Sequence, residues 1–297
     1  MTISTLGRLR AATIACPDLS LALRAYRDYL GYECAESGEL DSALAAAWGA
    51  PDAAGARYEW LVPQSGADVG IRLIEQCQAK NFQPYSALGW NALEIAVSHC
   101  DTAVQRLSEG PFQVVGPPAD LGFSDGALRA GQVVGPSGEV LYLTEIRREV
   151  PGFSLPVAKT LFDQLFIVIL HTADAGTALK AYSERFGNFV TPTFQYPVDF
   201  MAEFQNLPHD YPYTLGTVAL QDAGYFEVDG APTHIPARAR PDGLLPPGIA
   251  MVSVESGISV ADAALKPPGA LYRGARVARI DGVAGEWLEL ISCDSGS

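Results

Sequence analysis

Two stretches of the chain carry the same order of apolar and polar positions. Residues 18–31 read DLSLALRAYRDYLG and residues 174–187 read DAGTALKAYSERFG. Each opens with an aspartate, Asp18 or Asp174, whose side chain can accept backbone N–H bonds at a helix start. Apolar residues follow at helical spacing: Leu19, Leu23, Tyr26 and Leu30 in the first, Ala175, Leu179, Tyr182 and Phe186 in the second. That spacing makes one buried stripe per helix. Gly31 and Gly187 then suit a left-handed stop. The apolar runs RAATIAC and LFIVIL that precede these helices predict strands. Downstream lies a second pair of echoes, GPSGEVLYL at 135–143 and GVAGEWLEL at 282–290, each a tight glycine turn leading into a strand. Before each turn comes a further strand and helix start, at 92–107 and 248–265. Pro267 and Pro268 cut the last helix short.

These repeats predict an α+β chain of four units, each a strand, a helix and about three more strands. A curved sheet must have its inner face covered. Pairing the units within each half achieves this, giving two similar domains, each a curved mixed sheet around a cavity. The expected boundaries are residues 1–148 for the N-terminal domain and 161–297 for the C-terminal one. Residues 149–160, rich in proline and glycine, form the linker.

The length of 297 residues agrees with two domains. With 48% hydrophobic and 18% charged residues the composition is globular. The net charge of −14 repels phosphate backbones, which argues against a nucleic-acid partner. No apolar run approaches the length of a membrane helix, so no membrane partner is expected. The N-terminus reads as no secretion signal, and the 5 scattered cysteines build no disulfide framework. Together these suggest a cytoplasmic protein. A homo-oligomer is left open.

With its repeated Asp–Tyr–Gly helix and glycine turns, the sequence resembles the vicinal oxygen chelate superfamily. That group includes glyoxalase I, the bleomycin and fosfomycin resistance proteins and the type I extradiol ring-cleaving dioxygenases. The resemblance covers nearly the whole chain and implies four βαβββ modules. It also implies a metal held by a His seven residues before the capping Asp and by a Glu in a glycine–x–x–x–Glu pattern. In the first module those positions fall on Ala11 and Arg72, and in the second on Ala92 and Tyr142. In the third they fall on Ile167 and Glu227. In the fourth, Glu289 matches the carboxylate but residues 248–254 hold no histidine. The N-terminal domain is therefore expected to hold no metal. The cofactor is either absent or a divalent metal in the C-terminal domain, with Glu227, Glu289 and His171 as the candidates.

The catalytic candidates are Glu289, Glu227 and His171. If modules three and four pair, both glutamates face one cavity, where two close carboxylates raise one pKa and can share a proton. The alternative is that they bind Arg276 or Arg279. His171 shares strand parity with Ile167 and could point into the same cavity. His99, His209 and His234 read as capping-region or loop residues. Tyr225, Trp287, Tyr196 and Tyr213 are candidate substrate contacts, as are Arg72 and Tyr142 in the first domain. Arg72 and Glu94 are costly when inward unless paired, so they read as an ion pair filling a disused site. The functional alternative is an Arg72 that holds a ligand carboxylate, with Tyr142 as a donor.

The expected function is a small-molecule enzyme acting on an apolar or aromatic compound, by lyase or isomerase chemistry rather than standard ring cleavage. One alternative is a non-catalytic protein that sequesters such a compound. Another is an extradiol dioxygenase with unusual ligands.

Overall fold

The computed structural model describes residues 6–77, 82–257 and 265–292. Its first module comprises β1 (Leu6–Cys16), α1 (Leu19–Arg24), β2 (Glu33–Glu39), α2 (Ser42–Trp48), β3 (Arg57–Val62) and β4 (Gly70–Glu75). The second holds β5 (Gly89–Val97), α3 (Cys100–Ser108), β6 (Gln113–Asp120), β7 (Leu128–Val134) and β8 (Val140–Ile146). The third holds β9 (Phe162–Thr172), α4 (Ala175–Phe186), β10 (Phe194–Pro197), α5 (Asp199–Phe204), β11 (Pro212–Ala219) and β12 (Tyr225–Gly230). The fourth contributes β13 (Gly248–Ser256), β14 (Val277–Asp281) and β15 (Trp287–Ser292). Its predicted helix falls mostly on residues 258–264, outside the described residues. No described helix is long and apolar enough to cross a membrane.

The predicted caps form. Asp18 accepts from the Leu21 amide at 2.9 Å, and Asp174 accepts from the Thr177 amide at 2.6 Å. Gly187 closes α4 in the left-handed region at φ 74°. The first helix departs from its twin: after Arg24 it widens into a π-turn over Ala25–Tyr29.

Module pairing differs from the expectation. The first sheet has the order β14-β15-β13-β1-β4-β3-β2, so it joins modules one and four. The second has the order β10-β11-β12-β9-β5-β8-β7-β6, joining modules two and three. The seams are antiparallel: Ala12 faces Val252 across one, and Leu93 faces Val168 across the other. Modules of the same half meet instead through their helix-bearing faces. Tyr26 and Leu19 share one apolar core with Cys100, Leu107, Leu179 and Phe226. That contact leaves the edges of β1 and β5 bare, and each is covered by the opening strand of a module from the other half.

Two buried hydrogen bonds hold this arrangement. Tyr26 donates to Glu139 at 3.0 Å, tying the first helix to the glycine turn of module two. Tyr182 donates to Glu286 in the same way, tying α4 to the glycine turn of module four. Each carboxylate folds back over its own turn. Glu139 accepts from the Ser137 amide, and Glu286 accepts from the Val283 and Ala284 amides. A Cβ at Gly135 or Gly282 would overlap the carboxylate above it, which is why glycine opens each turn. Each lock spans the two sheets, because its tyrosine and its glutamate belong to different ones.

Removing one lock is expected to weaken the whole fold. Tyr182→Phe leaves Glu286 short of a donor and should lower stability by roughly 1–3 kcal/mol in denaturant titration. Gly282→Ala displaces the carboxylate itself and should lower it further.

Burial raises the Glu139 carboxyl to about 7. An acid that folding makes harder to ionise stabilises the fold below its unfolded value and loses that contribution as pH rises through its folded one. For Glu139 the window runs from 4.5 to about 7, and the loss is on the order of 3 kcal/mol. Burial shifts Glu286, Glu94, Glu227 and Asp229 in the same direction. The melting temperature should therefore fall between about pH 5 and pH 8 in scanning calorimetry, less steeply in Glu139→Gln.

Candidate functional site

On the inner face of the first sheet, Glu289 is fully buried. It takes an ion pair from Arg72 at 3.1 Å. It also accepts from Trp48 Nε1 at 2.8 Å, Ser253 Oγ at 2.5 Å and Tyr272 Oη at 3.0 Å. Arg72 donates further to Thr13 Oγ1 at 2.8 Å and lies 4.6 Å above the Trp48 ring. Trp48 arrives on α2, a helix inserted between β2 and β3. Little space remains: the cavity beside Arg72 and Tyr272 is about 40 Å³.

The expected ion pair thus exists with a different partner. Arg72 meets Glu289, not Glu94, because the modules pair across the halves. For the same reason Glu289 and Glu227 do not share a cavity, and neither binds Arg276 or Arg279 in the manner expected. Arg279 stacks over Trp287 at 4.5 Å, on the first sheet, which removes Trp287 from the neighbourhood of Glu227.

The inner face of the second sheet is built differently. Strand alternation turns Glu94, Tyr142, Thr144, Ile167 and Glu227 to one side, where they line a cavity of about 130 Å³. Phe153, Phe166 and Leu215 add apolar wall, and Phe123, Phe194 and Tyr196 form its mouth. The Gly122 amide donates to Tyr196 Oη at 3.1 Å, joining module two to module three across that mouth.

Glu94 is 7% exposed. Burial raises its carboxyl to about 7, with the Thr144 hydroxyl acting weakly against. Glu227 is raised well above the usual carboxylate range, first by burial and then by Asp229 and Glu94. Asp229 is raised by burial, which His171 partly offsets. No arginine, lysine or histidine is among the described residues that line the cavity.

His171 lies deeper on the same face, fully buried. Its Nε2 is 3.5 Å from Asp229 and its ring 4.7 Å from Tyr85. Tyr85 in turn reaches Tyr142, Oη to Oη 3.4 Å. His171 therefore stands behind the cavity. Tyr225 and Tyr213 are braces: Tyr225 Oη accepts from the Ser154 amide at 2.8 Å, and Tyr213 donates to Gln205 at 2.7 Å. Of the remaining candidates, Glu227, Tyr142 and Tyr196 are brought together in the cavity. His99, His209 and His234 are exposed. The sequence pointed to Glu94 only as the partner of Arg72. Its face was readable from Ala92, but its neighbour Glu227 was not.

A wider groove of about 400 Å³ opens at the junction of the sheets. Its charged groups are already engaged. Arg238 donates to the carbonyls of Leu88, Trp90, Pro247 and Ile249, Arg240 pairs with Asp281, and Glu286 belongs to a lock.

No protein-family model matches the chain, and no curated protein does. Solved structures do. Glyoxalase I from Zea mays aligns over 96% of this chain and 92% of its own, at 14% identity and a TM-score of 0.62. The chain has the vicinal oxygen chelate fold. A Bacillus subtilis protein aligns over 99% of this chain and 87% of its own, at 11% identity and a TM-score of 0.59. A member of the glyoxalase/bleomycin resistance protein/dioxygenase superfamily from Sphaerobacter thermophilus covers 47% of this chain and 98% of its own, at 23% identity and a TM-score of 0.35.

The residues at the metal positions of the vicinal oxygen chelate fold do not fit a divalent ion. The second sheet offers Ala92, Tyr142, Ile167 and Glu227, a single carboxylate among them. The first offers Glu289 with a guanidinium already against it. Among the described residues no three His, Cys, Asp or Glu side chains converge as a metal site. Glu227, Glu289 and His171 do not form one either: Glu289 lies on the other sheet, and His171 faces Asp229.

The first-sheet network closes around a buried ion pair. Glu289→Ala strands Arg72 in the core and should cost about 3–5 kcal/mol in chemical unfolding. Replacing both partners by apolar residues, Arg72→Met with Glu289→Leu, should recover most of that loss.

Proposed function

We propose that this chain binds a ring-sized, apolar small molecule in the second-sheet cavity and transfers a proton on it, as a lyase or isomerase does. One observation carries the reading: an apolar, aromatic-walled cavity retains two carboxyls with no basic group beside them. Unpaired acids are costly in such surroundings unless protonated or given a partner. A group that moves protons at neutral pH works best with a pKa near 7, and burial brings Glu94 to about 7. Glu94 is thus the proton-transfer group. Glu227 beside it is also raised well above the usual carboxylate range, first by burial and then by Asp229 and Glu94.

Tyr142, Thr144, Thr217 and Gln132 supply the remaining polar atoms of the wall. They orient a ligand's oxygen or nitrogen while Phe153, Phe166 and Leu215 exclude water from it. His171 and Asp229 act from behind. The Asp229 carboxyl sits next to Glu227 along β12, so its charge sets how readily Glu227 ionises. An inward Arg72 holding a ligand carboxylate plays no part in this reading, since that side chain closes the other sheet.

Ring-sized apolar fragments should bind the wild type in ligand-observed NMR and fail to bind Ile167→Trp, whose indole fills the cavity. Those carrying an acidified C–H should exchange it for deuterium in D2O, and Glu94→Gln should slow that exchange about 100-fold or more. Fragment binding that survives Ile167→Trp would remove the cavity from consideration. Binding without exchange across every such fragment would leave a protein that sequesters its ligand.

A further inference from the structure

The charges around the second-sheet cavity are all of one sign. Glu94 and Glu227 line it, Asp229 lies directly behind, and no basic side chain is among the described residues of its wall. Glu94 is more than nine-tenths buried and lines the cavity without an ion-pair partner. The Thr144 hydroxyl next to it is also buried and, beyond a weak contact with Glu94, has no hydrogen-bond partner. The nearest imidazole, His171, faces Asp229 and not the cavity.

The walls and mouth add a second feature. Phe123, Phe166, Phe194, Tyr142 and Tyr196 present aromatic rings to the interior or its entrance. Phe123 and Tyr196 meet edge to face at 5.1 Å, and Phe123 and Phe194 tilt together at 5.7 Å. Phe123 and Phe194 are 51% and 41% exposed. Ring faces attract cations and repel anions. At long range, the net charge of −14 draws cations towards the protein and turns anions away.

From this arrangement we infer that the ligand of the second-sheet cavity is an apolar ring compound bearing a cationic amine, with the ammonium held by Glu227 and Glu94. The inference rests on the binding reading above and adds the charge of the ligand to it. A carboxylate or phosphate ligand finds no counter-charge in this cavity. A neutral ring fills it but leaves both carboxyls without a partner. An ammonium group satisfies them and donates further to the Thr144 hydroxyl, which otherwise has nothing to accept from. The first sheet makes the same point in reverse. There Arg72 supplies the cation from within the chain, and the cavity is closed.

The test uses three probes of one ring size and different charge: benzylamine, benzyl alcohol and sodium benzoate. Each is titrated into the 297-residue chain by isothermal calorimetry at neutral pH. Benzylamine should bind about tenfold or more tighter than benzyl alcohol, and benzoate should bind weakest. In Glu227→Gln and, separately, Glu94→Gln the ratio of amine to alcohol affinity should drop towards one while alcohol binding persists. Circular dichroism checks that both variants are folded. Equal affinity for amine and alcohol in the wild type would overturn the amine assignment and leave the binding reading intact. Benzoate binding tightest would do the same. Failure of all three probes to bind at millimolar concentration would overturn both readings together.

Discussion

The tyrosine–glutamate bond between a helix and the next module's glycine turn is the constraint on which the rest depends. It is made twice, as Tyr26 to Glu139 and as Tyr182 to Glu286. Each bond lies within one half of the chain yet crosses from one sheet to the other. Modules of a half are therefore held helix face to helix face, and their first strands are left to pair with other strands. An open edge carries unpaired N–H and C=O groups. The two halves answer that need reciprocally, β1 with β13 and β5 with β9. A fold that looks like two tandem domains along the sequence is thus two shared sheets in space.

The two inner faces then show opposite ways of handling a buried acid. On the first sheet a guanidinium, an indole N–H and two hydroxyls converge on Glu289, and about 40 Å³ is left beside them. A buried pair adds little net stability, but breaking it is costly, so such a network tends to stay shut. On the second sheet no basic side chain is among the described residues that line the cavity with Glu94 and Glu227, and about 130 Å³ stays open among aromatic rings. Identical folding rules produced both faces. What separates them is the presence of Arg72 on β4 and of Trp48 on the inserted α2.

Much of this was legible along the chain. Helix caps, the buried stripes of α1 and α4, the glycine turns and the four-module plan all follow from local periodicity and from residues that act within one turn. The inward faces of Glu227, Glu289, Arg72 and Tyr142 were legible for the same reason, since alternation fixes the face of a strand. Alternation does not say which strand lies next door. Arg72 was rightly seen as needing a counter-charge, but Glu94 was the wrong one, because its true partner lies 217 positions away on β15. Glu94 and Glu227 could not be matched until modules two and three were known to share a sheet. The Tyr26 and Tyr182 hydroxyls were likewise visible only as members of an apolar stripe. Their bonds to Glu139 and Glu286 depend on packing between modules, which no spacing within a module encodes.

Two acids in one dry space cannot both ionise cheaply, because each charge raises the cost of the other. Here the neighbours are unequal. Glu94 has the Thr144 hydroxyl at its side, whereas Glu227 has Asp229 on its own strand. Both carboxyls are therefore raised, Glu94 to about 7 by burial and Glu227 well above the usual carboxylate range by burial and by the acids beside it. Burial makes both acids unfavourable to the fold at neutral pH, and the apolar core shared by the two sheets offsets that cost. The cavity stays open at such a cost on the second sheet, whereas a single inward arginine closes its counterpart on the first.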